Sequence, residues 1–302
     1  MAKSHVITDA DLERLRDIRA TQPERIAEAR GKRVRRDVLR GDERLFILAA
    51  DHPARGALSV GADPLAMADR DELLRRLALG LSRPGVDGVL GTPDIIDDLA
   101  LLGLLDDRVV VGSMNRGGLR GAAFELDDRY TAYSIDGMVR AGVDFAKVLV
   151  RVDLADPLTA QTLEATAHAV TEAAAAGLPI MLEPFMSRRE GGAVVNDLDA
   201  DSVILSIAIA AGLGSDSSHT WMKLPVVDDM ARVMAATTMP TLLLGGEVGD
   251  DQTAVFAKWE AALALPGVRG LTAGRTLLYP GDGDVADAVD AAAGLVHAKV
   301  AG

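Results

Sequence analysis

From Leu45 onward the chain repeats one pattern: a short unbroken apolar run, then a longer segment with apolar residues at helical spacing. The apolar runs are Leu45-Phe-Ile-Leu-Ala-Ala50, Gly88-Val-Leu90, Val109-Val-Val111, Phe145–Val152, Pro179-Ile-Met-Leu-Glu183, Thr220–Lys223, Thr241-Leu-Leu-Leu244 and Arg269-Gly-Leu-Thr-Ala273. The segments between and after them predict helices at 71–83, 94–104, 129–141, 159–176, 200–213, 228–237, 251–264 and 284–299. Runs without polar alternation are what parallel strands buried on both faces require. Eight strands and eight helices in strict alternation, over about 250 residues, predict an α/β protein of the (β/α)8 TIM barrel class. An open doubly wound sheet shares the alternation but wants a glycine-rich turn after its first strand. Here that strand runs into Asp51-His52.

Before the first strand the pattern is helical only. Leu12, Leu15 and Ile18 recur at helical spacing behind Thr8 or Asp9 as a cap. Pro23 opens a second helix with Ile26, Val34 and Val38 on one face, and the basic stretch Arg30 to Arg36 reads as a solvated helix face. The chain therefore divides into an N-terminal helical extension, residues 1–43, and a barrel catalytic domain, residues 44–302. The extension is expected to pack on the barrel or on a neighbouring subunit.

Composition narrows the function. A net charge of −13 with 3% aromatic residues argues against nucleic acid, which wants basic patches and stacking platforms. The absence of cysteine removes disulfides and thiolate metal sites. The N-terminus lacks a signal-peptide core, and no run of about 18 apolar residues predicts a membrane span. The expectation is a cytoplasmic protein acting on a small molecule, with no membrane partner, as a homo-oligomer. Of the basic residues 26 are arginine and only six are lysine, yet two lysines, Lys147 and Lys223, lie inside apolar strands. Burial disfavours an ammonium, and a buried lysine with a lowered pKa is a neutral amine able to form a Schiff base. The alternative is a lysine that snorkels or is ion-paired at a strand end.

Barrel chemistry sits at the C-terminal ends of the strands. The residues predicted there are Asp51, His52, Asn115, Arg116, Lys147, Arg151, Glu183, Lys223, Gly245, Gly246, Gly274 and Arg275. Lys147 beside Lys223 would favour the neutral amine on the latter, while Glu183 or Asp51 would pair with Lys147 and move protons. Gly245-Gly246 and Gly274-Arg275 follow the last two strands, where this fold binds phosphate; glycine lets backbone N–H groups approach an anion and arginine adds a charged contact. A lone Gly-Gly pair is also an ordinary tight turn. His52 and Arg151 are further candidates for substrate binding. His52, His219, Glu183 and Asp51 could instead hold a divalent metal. His168 and His297 fall in helices and read as incidental.

These residues carry a resemblance. Asp51-His-Pro-Ala-Arg-Gly-Ala-Leu58 is similar to the Asp-Gln-Arg-Gly-Ala-Leu or Asp-His-Gly element of class I aldolases of the tagatose-bisphosphate and archaeal-type fructose-bisphosphate kind. Gly142-Val-Asp-Phe-Ala-Lys-Val-Leu-Val150 resembles their Gly-Ala-Asp-Ala-Val-Lys strand, and Leu182-Glu183-Pro184 their strand-five glutamate. Lys223 falls where that family places its Schiff-base lysine, and Gly274-Arg275-Thr276 resembles its phosphate element. The similarity spans roughly residues 44–280, in order. Deoxyribose-phosphate aldolases and inositol-catabolic aldolases acting on a deoxy-keto-gluconate phosphate are further relatives. Two departures stand out: an inserted Pro-Ala before Arg55, and Val-Arg-Val at the end of strand four where these relatives commonly carry tyrosines.

The resemblance implies a class I aldolase, a carbon–carbon lyase acting through a lysine Schiff base on a phosphorylated ketose or keto-sugar acid. Lys223 would be the nucleophile, with Lys147, Glu183 and Asp51 as proton carriers, and no cofactor or metal is expected. Rival readings are a metal-dependent lyase or hydrolase using His52 and His219, and a non-catalytic sugar-phosphate-binding barrel.

Overall fold

The computed structural model describes residues 6–115, 117–246, 252–281 and 283–298. Arg116, named above among the candidates, lies outside the described residues. The strands are β1 (Leu45–Ala49), β2 (Gly88–Gly91), β3 (Val109–Ser113), β4 (Phe145–Val152), β5 (Ile180–Glu190), β6 (Ala193–Asn196), β7 (Thr220–Pro225), β8 (Thr241–Leu244) and β9 (Val268–Ala273). All but β6 pair in parallel in the order β1-β2-β3-β4-β5-β7-β8-β9, and β9 returns to β1. This is a closed (β/α)8 barrel.

Every predicted strand is present. β5 runs further than its apolar run indicates, and its polar end forms an antiparallel hairpin with β6, from Ser187 opposite Asn196 to Glu190 opposite Ala193. The hairpin is absent from the sequence reading because its residues are mostly polar and exposed. The barrel helices are α3 (Arg70–Leu81), α4 (Pro93–Leu101), α5 (Ile135–Ala141), α6 (Leu158–Ala176), α7 (Ala200–Ala211), α8 (Met230–Met234), α9 (Gln252–Leu263) and α11 (Val285–Val296), with a short α10 (Arg275–Leu278) after β9. Caps set their limits. Asp69, Ser134, Asp199 and Asp284 accept backbone N–H bonds at the starts of α3, α5, α7 and α11. α5 begins six residues later than predicted because Ser134, not an earlier residue, caps it.

The barrel interior is filled by Leu45, Ile47, Ala49, Leu90, Val109, Val111, Phe145, Met181 and Leu242, with Trp221 edge-on to Phe145 at 5.3 Å. Successive side chains alternate across each strand, so the residues two positions beyond this plug face the same interior. They are Asp51, Ser113, Lys147, Glu183 and Lys223: a polar layer on an apolar one.

At the other end, α1 (Asp9–Thr21) and α2 (Glu24–Lys32) precede β1, α1 opening on a Thr8–Asp11 capping box. Helix α2 stops at Lys32, before Val34 and Val38, which the sequence places on its face. The arginines that follow are not a solvated helix face. The Arg33 side chain is 5% exposed and pairs with Asp144 at 2.9 Å; the Arg36 side chain is 7% exposed and pairs with Asp87 at 2.7 Å. Those aspartates precede β4 and β2 and also accept the backbone N–H groups of Val110 and Phe46. Val38 and Leu39, beyond the helix, pack against the interior plug. Arginine is needed because buried carboxylates at strand starts must be paired, a demand that local periodicity does not express. His297 is likewise tied down, Nδ1 at 2.8 Å from Asp42 and Nε2 at 2.8 Å from the Gly85 carbonyl and 3.2 Å from Asp87. Its incidental reading is corrected accordingly. His168 is exposed on α6.

Candidate active site

Four charged side chains form a chain across the barrel mouth. Lys147 Nζ lies 3.0 Å from Asp51 Oδ2 and 2.6 Å from Glu183 Oε2. Lys223 Nζ donates to Glu183 Oε1 at 2.6 Å. All four residues are buried. Ser113, not singled out from the sequence, donates from Oγ to Asp51 Oδ2 at 3.0 Å. Its place was readable only from its alignment with Val109 and Val111 on the inner face.

The two lysines differ electrostatically. Burial lowers the pKa of both. For Lys147, the Asp51 and Glu183 carboxylates more than offset it, so the ammonium is held above its ordinary value. Lys223 shares Glu183 and feels the Lys147 charge, and its pKa is lowered. Burial opposes ionisation of Glu183, yet Lys147 and Lys223 hold it down at about 2. Burial likewise opposes the Asp51 charge, and Lys147, His52 and Lys223 outweigh it, leaving its pKa below the usual carboxylate range. The arrangement is one ammonium, two carboxylates and one amine biased toward its neutral form.

A second group of candidates gathers on the β8–β9–β1 side. A Cβ on Gly274 would fall 2.3 Å from the Ala49 carbonyl oxygen and 3.1 Å from His52 Cε1, so only glycine fits between β1 and α10. A Cβ on Gly245 would fall 2.8 Å from Ala273 Cβ, and Gly246 has φ +73°. Arg275 reaches the Ser59 carbonyl at 3.5 Å. His52 opens a 3-10 turn, His52–Arg55, and its Nδ1 is buried without a hydrogen-bond partner among the described residues. Burial pushes the His52 pKa down to about 4; Asp51 opposes this, while Arg275, Lys223 and Lys147 add to it, so the ring is neutral at pH 7. The residues after Gly246, 247–251, lie outside the described ones.

Two candidates are placed elsewhere. Arg151 is saturated by protein: Nε and Nη2 donate to Asp128 at 2.8 Å each, Nη1 to Glu125 at 3.2 Å, and Nη2 also to the Glu125 carbonyl. It anchors the loop between β3 and α5, and its substrate-binding reading is corrected to a structural one. Asn115 bridges strands, accepting from Leu149 N–H and donating to its carbonyl. His219 sits at the start of β7 beside Ser218, whereas His52 follows the end of β1. The two lie at opposite ends of the barrel, so they cannot share a metal. No group of three or more potential ligands disposed to hold a metal ion occurs among the described residues.

Arg55 is the residue the sequence undervalued. The 3-10 turn ends on it and Gly56 closes the turn in the left-handed region, φ 72°. Its side chain comes near Asp51, Glu183 and Lys147.

Comparison with known proteins fits this geometry. The Cgl0159-like family model matches residues 43–293. The crystal structure of Cgl0159 from Corynebacterium glutamicum is 69% identical, with TM-score 0.95, over 97% of this chain and 98% of that one. An archaeal fructose 1,6-bisphosphate aldolase superposes with TM-score 0.63 at 20% identity, over 90% of this chain and 98% of its own. A Schiff base forming fructose-1,6-bisphosphate aldolase does so with TM-score 0.64 at 20% identity, over 90% and 100%. At that identity the likeness is one of fold. No curated protein sequence matches the chain.

Proposed function

The chain belongs to the Cgl0159-like family, and from that footing we propose that it is a class I aldolase, a carbon–carbon lyase working through a Schiff base on Lys223. The observation that carries this reading is the shared carboxylate: Glu183 holds Lys147 and Lys223 at 2.6 Å each, with the first kept protonated and the second biased toward the free amine.

The chemistry follows from those positions. The Lys223 Nζ lone pair attacks the substrate carbonyl carbon and gives a carbinolamine. Lys147 is the local acid, placed to protonate the departing hydroxyl as water leaves and the iminium forms. The iminium accepts the electron pair of the cleaving carbon–carbon bond. The proton from the hydroxyl of the departing fragment goes to a carboxylate, Glu183 or Asp51. Cleavage leaves an enamine, whose carbon takes that proton back from the carboxylic acid; water then adds to the regenerated iminium and releases the carbonyl product and the free amine of Lys223. Each proton acceptor lies within one hydrogen bond of Lys147.

The substrate is a phosphorylated ketose or keto-sugar acid. Gly245, Gly246, Gly274 and Arg275, with neutral His52 beside them, support a phosphate position on the β8–β9–β1 side. The test is borohydride reduction in the presence of a panel of sugar phosphates, followed by peptide mapping. An adduct on Lys223 supports the reading. No adduct with any of them, with ligand binding retained, would make the protein a sugar-phosphate-binding barrel instead.

A further inference from the structure

Arg55 presents a guanidinium that no group among the described residues hydrogen-bonds. Among the described residues no carboxylate or carbonyl accepts a hydrogen bond from its side chain, and its Nε is buried without a partner. The neighbouring acids are already engaged: Asp51 and Glu183 by the lysines, Asp128 by Arg151. Arg55 therefore sits without a hydrogen-bonded counter-ion among the described residues, half-buried beside Lys147 and Arg151 in the mouth of the barrel. A guanidinium in that setting is costly to keep unpaired. Its planar fork suits a carboxylate or phosphate bound edge-on.

The side of the mouth matters. Arg275 and His52 face the β8–β9–β1 edge. Arg55 lies against the loop after β3, where its carbonyl accepts from Arg120 N–H at 2.9 Å, the loop that Arg151 anchors through Asp128. Lys223, Glu183 and Lys147 lie in the layer beneath.

We propose that Arg55 is a specificity-determining residue that binds a second acid group of the substrate, a carboxylate or a phosphate, across the lysine cluster from Gly274 and Arg275. This rests on the reading of the mouth as the aldolase site. The substrate class is then narrowed to carbon chains acidic at both ends. The turn His52–Arg55, with its inserted Pro53-Ala54, sets where the guanidinium meets the ligand.

The test needs no turnover. Binding of three unreactive probes is measured by calorimetry on the full chain: a hexitol monophosphate, a hexitol 1,6-bisphosphate and 6-phosphogluconate. The wild type is expected to prefer at least one two-acid probe over the monophosphate by about 10- to 100-fold, the range of a charged hydrogen-bond pair. Arg55→Gln is expected to bring that ratio near one, and Arg55→Lys to restore part of it. The probe that loses most identifies carboxylate or phosphate. No preference in the wild type, or a ratio unchanged in Arg55→Gln, overturns the proposal. A ratio that Arg55→Gln abolishes but Arg55→Lys leaves equally abolished, with both variants melting well below wild type, overturns it in favour of a structural role. Borohydride trapping on Lys223 with a monophosphorylated ketone, run in parallel, reports separately on the aldolase reading.

Discussion

Lys147 and Lys223 are joined through one carboxylate, each 2.6 Å from a different oxygen of Glu183. The pair is unequal because Lys147 has a second anion, Asp51, at 3.0 Å, and Lys223 has none within salt-bridge distance among the described residues. That difference separates acid from nucleophile. Lys223→Arg should abolish borohydride trapping, since a guanidinium forms no imine. Lys147→Arg keeps the charge but not the donor geometry and should still trap, with turnover lowered by about two to four orders of magnitude, the usual worth of a positioned acid–base group. An adduct mapped to Lys147 in the wild type would reverse the roles.

The same asymmetry sets a pH profile. Lys223 reacts as the free amine, so adduct formation should fall as pH drops through its lowered pKa. Glu183, at about 2, and Asp51, lower than usual, stay ionised throughout that range and contribute no acid limb of their own. Lys147→Met removes a cation that depresses the Lys223 pKa. The acid limb should therefore move to higher pH, read as trapping rate against pH. A limb that stays put, or moves down, means the Lys147 charge does not act on Lys223.

Arg275→Ala should raise KM for a phosphorylated substrate by about one to two orders of magnitude, as expected for a charged hydrogen bond of about 1.5–3 kcal/mol. The paired measurement uses the same substrate without phosphate. Equal losses on both would show that Arg275 reads something other than phosphate.

His297 makes stability depend on alkaline pH. Its hydrogen bond to Asp87 raises its pKa; burial lowers it, and Asp42 adds to the rise, giving about 9 against an ordinary 6.5. The folded protein therefore binds this proton more tightly than the unfolded chain. The stabilisation is complete below 6.5 and is lost as pH rises through about 9. Tm measured from pH 6 to 10 should decline across that window, and His297→Gln should flatten the decline. A variant that keeps the wild-type slope would assign it to other groups.

Much of this was legible in the chain because barrel strands announce themselves. Runs such as Phe145–Val152 are buried on both faces and need no partner pattern to be recognised. Lys147 and Lys223 stand out as lysines in such runs, and the two-residue period lets Lys147 point inward; the inward direction of Lys223 is seen only with Trp221 packed at the interior plug. Interactions between distant segments were not legible. Arg151 shares an inward parity with Lys147, but Asp128 and Glu125 from the preceding loop consume it. The β5–β6 hairpin pairs the polar end of β5, Ser187 to Glu190, with a four-residue strand, Ala193–Asn196, that is too short and exposed to stand out as an apolar run. Arg55 was blurred by the Pro53-Ala54 insertion, because the conformation of a short turn depends on what closes it.

The arginines below the barrel give its boundary a different meaning. The family match begins at residue 43, yet Arg33 and Arg36 lie upstream of it and neutralise Asp144 and Asp87 inside the strand ends. A chain trimmed to the matched region would keep the two acids and discard their counter-ions. The desolvated carboxylates would have to take up protons or draw in water, and either loosens the strand starts from below. The segment 33–39 is thus the foundation plate of the barrel, electrically part of what it precedes. Shortening the protein from its N-terminus first costs the buried Leu12, Leu15 and Ile18 of α1 and the Arg19–Asp98 pair, and past α2 it removes that plate as well.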